Sequence, residues 1–174
     1  MRVAFYLIFP VIVMSISACN SQGQSNEISK NQEVSKEPEV NRSEDEWRQI
    51  LTPQQFHILR EKGTDRPFIG KYYRTTDAGV YECAACGNEL FTSDMKFDSD
   101  CGWPSFDKAI EGGKIKTAQD LSYGMVRTEI LCARCGGHLG HLFEDGPTET
   151  GLRYCVNSTS LNFVKGEESG EVKK

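Results

Sequence analysis

Cys132-Ala133-Arg134-Cys135-Gly136 repeats the pattern of Cys83-Ala84-Ala85-Cys86-Gly87. Each stretch offers two thiols on a tight turn, and the glycine after the second lets the backbone curl. Four such thiolates converge tetrahedrally on zinc. Between Cys86 and Cys132 lie 45 residues, against about 15–20 in a compact zinc ribbon. A metal held by Cys83, Cys86, Cys132 and Cys135 would therefore staple two distant hairpins together. Two other readings fit the same spacing: a pair of redox-active C-x-x-C motifs, and two structural disulfides. A closed four-thiolate zinc site is the leading expectation, and such a site leaves no open position for chemistry.

The sequence around these turns reads as short strands. Residues 71–75 and 80–83 flank Thr76-Asp77-Ala78-Gly79, a turn that predicts a hairpin. Residues 125–131, 152–157 and 160–164 are further strand candidates. Gly112-Gly113, Gly136-Gly137 and Asp145-Gly146-Pro147 punctuate the rest. Two short helices precede the strands. Ser43 with Glu46 forms a capping box ahead of Trp47, Ile50 and Leu51 at helical spacing. Thr52, Pro53 and Gln55 form a second, with Phe56 and Leu59 as its apolar face and Gly63 at the C′ position. His57 in that helix reads as an ordinary surface histidine.

Before these helices the chain changes character. Residues 1–18 combine one arginine with an apolar run, 3–14, shorter than the roughly 20 residues a membrane-crossing helix needs. Ile16-Ser17-Ala18-Cys19 resembles the bacterial lipobox, which implies cleavage before Cys19, lipid on that cysteine, and an exported, membrane-anchored lipoprotein. An uncleaved anchor is the alternative. Residues 19–42 are polar and poor in aromatics, so they read as a disordered tether of roughly 30 Å typical span. The domain is expected over 43–166, and a frayed tail over 167–174. The net charge of −5 argues against general nucleic-acid binding.

With seven cysteines, an odd number, full pairing is impossible. One is assigned to lipid and four to metal, which leaves Cys101 and Cys155. Cys155 lies in Gly151-Leu-Arg-Tyr-Cys-Val-Asn-Ser158, whose alternation reads as a strand. Arg153 and Asn157, two residues to either side, would share its face. A guanidinium beside a thiol favours the thiolate, which is the nucleophilic form. A buried structural cysteine is the other reading. Cys101 opens the loop-like Cys101-Gly-Trp-Pro-Ser-Phe106. Neither has a motif partner nearby, so each could partner the other.

Four stretches then carry a resemblance: Arg60-Glu-Lys-Gly-Thr-Asp-Arg-Pro-Phe68, Lys96-Phe-Asp-Ser-Asp-Cys-Gly-Trp-Pro-Ser-Phe106, His138-Leu-Gly-His-Leu-Phe-Glu-Asp-Gly-Pro147 and Gly151–Ser158. With both cysteine turns, they resemble the B-type peptide-methionine sulfoxide reductases, in order, from about Trp47 to Val164. The resemblance implies a mainly β fold of two small antiparallel sheets packed together, with short N-terminal helices and a four-cysteine zinc site. It implies reduction of the R epimer of methionine sulfoxide, free or in oxidised proteins, with recycling by a thioredoxin-like reductant. The Gly-Cys-Phe-Trp signature of the A-type family is absent, so no S-epimer activity is expected.

Carried over by position, Cys155 would be the nucleophile and Cys101 the resolving thiol. Trp103 would hold the substrate methyl group. His138, His141, Asn157 and Phe143 would line the site, with Arg153 close to the thiolate. The two histidines, three residues apart, would converge on one helical turn or a tight loop, unless one is a zinc ligand or a packing residue. Ser105, Asp107 and Glu144 read as surface or turn residues. A monomer is expected. The competing class is a lipid-anchored zinc module for interaction, with Cys101 and Cys155 inert.

Overall fold

The computed structural model describes residues 39–166. The lipobox, most of the tether and the tail lie outside them. Among the described residues no helix is long and apolar enough to cross a membrane.

Two helices come first, α1 (Glu44–Ile50) and α2 (Pro53–Leu59). Both capping boxes form as the sequence predicts, with Ser43 and Thr52 each accepting from the backbone N–H three residues on. Trp47, Leu51, Phe56 and Leu59 are buried, but Ile50 faces solvent. Helix α2 stops at Leu59, short of Gly63, and the left-handed residue after it is Lys62. Upstream of Ser43, Val40 already belongs to the fold: it packs against the core and its N–H donates to the Arg134 carbonyl at 2.8 Å.

Nine strands follow: β1 (Gly79–Cys83), β2 (Glu89–Thr92), β3 (Lys96–Phe97), β4 (Ser105–Phe106), β5 (Ile115–Asp120), β6 (Arg127–Cys132), β7 (His138–Phe143), β8 (Arg153–Val156) and β9 (Leu161–Lys165). They make two antiparallel sheets, ordered β2-β1-β9 and β3-β4-β8-β7-β6-β5. Residues 71–75 are not a strand. They form turns, because the edge of β1 is taken by β2 and β9, its partners across the first cysteine turn and from the chain end. Strands β2, β3, β4, β5 and β7 were not anticipated. Polar side chains dominate β5 (IKTAQD), and two glycines with Cys135 precede β7.

One core joins the layers. Tyr81, Phe91 and Leu161 enter it from the first sheet, Phe106, Ile130, Leu139 and Val156 from the second, and Trp47, Phe56 and Leu59 from the helices. Phe91 and Phe106 stack across the sheets at 4.1 Å between centroids, worth about 0.5–1.5 kcal/mol beyond the area they bury. Helix α2 is pinned to the second cysteine turn: the Arg60 guanidinium donates to the Cys135 carbonyl at 3.2 Å and lies over the Trp47 ring.

The two cysteine turns are built alike. In each, the first cysteine's N–H donates five residues ahead, to Asn88 or Gly137, and its carbonyl accepts from the N–H of Gly87 or Gly136. Both glycines are left-handed, at φ 68° and 72°, where a Cβ would be strained. One turn ends β1 and the other ends β6, so each sheet contributes one.

Strand β7 carries an irregularity against β6: Ile130 faces Gly140 but Leu131 faces His138, so Leu139 is an extra residue. Gly140 sits where a Cβ would run into the Cys155 carbonyl oxygen. We expect Gly140→Ala to force β8 away from β7 and to cost about 1–3 kcal/mol, the range for overpacked sites. Urea denaturation of the variant beside wild type measures it; an unchanged midpoint would mean the strands have slack.

Candidate active site

Strand β8 places Cys155 between two neighbours in register. Across one side lies His141 of β7, and across the other Ser105 of β4. The Cys155 Sγ is 3.6 Å from the Cys101 Sγ, which the loop before β4 delivers. The two cysteines that the motif spacing left over are therefore adjacent.

Cys101 is surrounded by oxygen. Ser99 Oγ lies 3.0 Å from its sulfur, Ser105 Oγ 3.4 Å, and the Trp103 carbonyl 3.4 Å. The two hydroxyls are 2.7 Å from each other. Ser105 is buried, not a surface residue as the sequence suggested: Phe106 turns into the core, and strand alternation sends Ser105 to the sulfur pair. Hydrogen bonding with Cys155, then with Ser105 and Ser99, pulls the Cys101 thiol down to about 4 against the effect of burial. Cys155 moves the other way, raised by its bond with Cys101 and by burial. Arg153 opposes this through its charge and a hydrogen bond, as the sequence predicts, but is outweighed. Arg153 is itself locked by a two-pronged pair with Asp145, both contacts 2.7 Å, and lies over the Phe143 ring.

His138 and His141 do converge, with rings edge-on at 5.6 Å between centroids, but on a strand, not a helix or loop. Residues three apart on a regular strand point to opposite faces. The extra residue in β7 reverses the alternation between them, so both rings share one face. Each ring has a carboxylate. His138 Nδ1 is 2.7 Å from Glu129 Oε1, and the other Glu129 oxygen holds Lys62 at 2.7 Å. His141 Nε2 is 2.7 Å from Asp120 Oδ2, which also accepts from Arg127. Burial lowers the His138 pKa, opposed by Glu129.

Asn157 is buried just beyond β8, and its carboxamide is spent on backbone: it accepts from Asp65 N–H at 2.9 Å and donates to the Leu139 carbonyl at 3.2 Å. Asp65 ties the same loop down. Its carbonyl accepts the Trp103 indole N–H at 2.9 Å, and its carboxylate accepts from Thr159 N–H and Oγ1. Trp103, His141, Phe143, Cys155 and Asn157 line one pocket of about 110 Å³. That is below the roughly 300 Å³ where drug-sized ligand sites begin, so it suits the tip of a side chain. His138 is not in the lining. A larger groove of about 710 Å³, along Gln54, Asp65, Arg66 and Lys71, contains no cysteine.

Ser99, Glu129, Asp120 and Asp65 escaped the sequence reading. Glu129, a lone carboxylate beside the apolar Ile130 and Leu131, was the one available signal: charge in a buried strand implies a partner. Asp65 gave none, since its partners lie 11 to 94 positions away.

The four other described cysteines gather with every ligand sulfur within 4.8 Å of the rest. Cys83 and Cys135 are 3.7 Å apart, Cys86 and Cys132 3.6 Å. A tetrahedron with metal–sulfur bonds of about 2.3 Å has edges of about 3.8 Å, whereas a disulfide brings sulfurs to about 2.0 Å. The cluster therefore fits a structural metal centre joining the sheets. Neither histidine is part of it.

Comparison with known proteins places this geometry. The family model described as the SelR domain matches residues 51–165. Peptide methionine sulfoxide reductase MsrB of Methanosarcina mazei is 54% identical over 133 residues, covering 76% of this chain and 95% of that protein. The protein of the same name from Leptospira interrogans is 56% identical, covering 72% and 95%, and that from Synechococcus sp. RCC307 60%, covering 70% and 89%. The matched span contains both cysteine turns, the sulfur pair and the pocket, and the chain belongs to the MsrB family of methionine sulfoxide reductases.

Proposed function

We infer that this protein reduces the R epimer of methionine sulfoxide, in oxidised proteins and as the free amino acid. The observation that carries the reading is the Cys101–Cys155 pair at 3.6 Å beside a side-chain-sized pocket walled by Trp103, Phe143 and His141, in a chain of this family. A purified domain given dithiothreitol and methionine-R-sulfoxide should release methionine. A zinc-bound interaction module would release none.

The geometry supports the following roles. Trp103 and Phe143 offer flat apolar surface to the substrate methyl group. His141 lines the pocket and is placed to protonate the sulfoxide oxygen, with His138 and Glu129 buttressing it from the buried side. Cys155 attacks the sulfur as its proton is delivered, by way of His141, to the sulfoxide oxygen, so Cys101 stays deprotonated. The S–O bond to the methionine sulfur breaks as the hydroxyl moves to the Cys155 sulfur, methionine leaves, and Cys101 then displaces that hydroxyl from the sulfenic acid as hydroxide, protonated to water, to form the disulfide. A thioredoxin-like dithiol restores both thiols. Asn157 positions the strand end and Asp65 without touching protons.

Cys155→Ser should abolish turnover with every reductant. In Cys101→Ser the leading cause of the raised Cys155 pKa is gone and Arg153 remains, so one turnover should still release about one equivalent of methionine. That variant should then stall with thioredoxin and continue with dithiothreitol, which reduces a sulfenic acid directly. Trp103→Ala should raise KM and lower kcat together. Wild-type thioredoxin turnover in Cys101→Ser would remove Cys101 from the resolving role.

The metal at Cys83, Cys86, Cys132 and Cys135 is proposed to be zinc, one per chain and structural. It would stabilise the joint between the sheets and take no part in the reaction. Elemental analysis should find one equivalent, and Cys83→Ser should lose it and unfold at lower temperature, since binding energies on the order of 10 kcal/mol accompany folding at such sites. Iron, or no metal, would refute this.

Residues 1–18 are proposed as a lipoprotein signal and Cys19 as the lipidated residue, holding a monomeric domain on the outer side of a membrane. The short apolar run ending at the lipobox supports this. Cells labelled with a fatty acid should show label on the wild type and none on Cys19→Ser; label on both would place the anchor elsewhere.

A further inference from the structure

We propose that Ser99 and Ser105 act as a hydroxyl pair that holds the Cys101 sulfur as a thiolate and aims it at Cys155 for disulfide formation. This deepens the proposed reductase reading and rests on it. Three observations carry it. Ser99 Oγ is 3.0 Å from Cys101 Sγ and Ser105 Oγ is 3.4 Å away, so two hydroxyls face one sulfur. The hydroxyls are also 2.7 Å from each other, so Ser105 can donate to Ser99 while Ser99 donates to the sulfur, and each bond polarises the next. Finally, both serines are held by structure independent of the sulfur. Ser105 is 1% exposed on β4, in register with Cys155, and the Ser99 carbonyl accepts from Tyr73 Oη at 3.1 Å.

An uncharged thiol needs no such arrangement. A thiolate has acceptor capacity only, and the half-buried position of Cys101 limits the water that can solvate it. The hydroxyls replace that water at fixed positions. Arg153 does not do this for Cys101 alone, because its guanidinium is committed to Asp145.

The step balances as follows. The Cys101 thiolate contributes the electron pair of the new S–S bond. The S–O bond of the Cys155 sulfenic acid breaks, and hydroxide leaves with its pair and takes a proton from solvent to become water. Cys101 is oxidised and the sulfenic sulfur reduced, with no outside electrons.

The test separates the two chemical halves. In a single turnover with methionine-R-sulfoxide, methionine release is followed beside the loss of the second free thiol in wild type, Ser99→Ala, Ser105→Ala and Ser99→Thr. In each alanine variant the pH midpoint of disulfide formation should rise by about one unit, so that the ratio of disulfide formation to methionine release falls about tenfold below that midpoint and recovers above it. Ser99→Thr should restore the ratio. A second reading needs no turnover: in Cys155→Ser, the pH midpoint for iodoacetamide alkylation of Cys101 should rise by about one unit when Ser99→Ala is added. An unchanged ratio with an unchanged midpoint would overturn the proposal, as would equal slowing of both halves with no pH recovery. No methionine from wild type would instead sink the reductase reading, and the alkylation result would still stand on its own.

Discussion

The approach of β7 to β8 at Gly140 constrains everything around the sulfur pair. Strand β8 can carry Cys155 between His141 and Ser105 only if β7 comes close enough to pair, and at Gly140 there is no room for a side chain over the Cys155 carbonyl. The same segment contains the extra residue that reverses the alternation of β7. That local irregularity turns His138 and His141 to one face, where separate carboxylates on β6 and β5 receive them. Bulges bend a strand and re-aim its side chains, which is why they gather at sites of chemistry. Here it brings a ring to the pocket that a regular strand would have pointed away.

The elements that were legible in the sequence are those whose signals are local. Two capping boxes, the cysteine turns and the 152–157 alternation each involve residues within five positions, and all formed. The strand expected at 71–75 failed because its apolar tyrosines, Tyr72 and Tyr73, are buried from a turn, not from a ladder. Strand β5 was hidden because an edge strand with one solvated face needs few apolar residues. In the site, the motifs gave Cys101, Trp103, His138, His141 and Cys155 their places. They could not show that Asn157 is occupied by backbone, that Asp65 anchors the Trp103 indole, or that Ser105 is buried. Those facts belong to pairings across tens of residues, which no local pattern encodes.

The carboxylates behind the histidines divide the two rings. His138 is 3% exposed, its carboxylate is equally buried, and Lys62 completes the chain from the surface. Such a buried dyad orients; it has little access to substrate. His141 is more open and lines the pocket. Two histidines with the same spacing from the same motif thus differ in what they can reach, and the difference arises from depth in the sheet.

All six described cysteines have a sulfur neighbour at 3.6–3.7 Å, yet they cannot share a fate. Around Cys83, Cys86, Cys132 and Cys135 the four sulfurs face one another, and the Asn88 amide reaches Cys132 at 3.5 Å. Four soft donors closed on one point suit a cation and leave no sulfur free to attack. Around Cys101 and Cys155 there are two sulfurs, two hydroxyls and a guanidinium, beside a pocket that admits a side chain. Two sulfurs do not complete a four-thiolate site, but one of them can hold a charge while the other meets substrate. What separates a structural thiol from a reactive one in this fold is therefore the number of sulfurs and the hydrogen-bond donors facing them, not the distance between sulfurs.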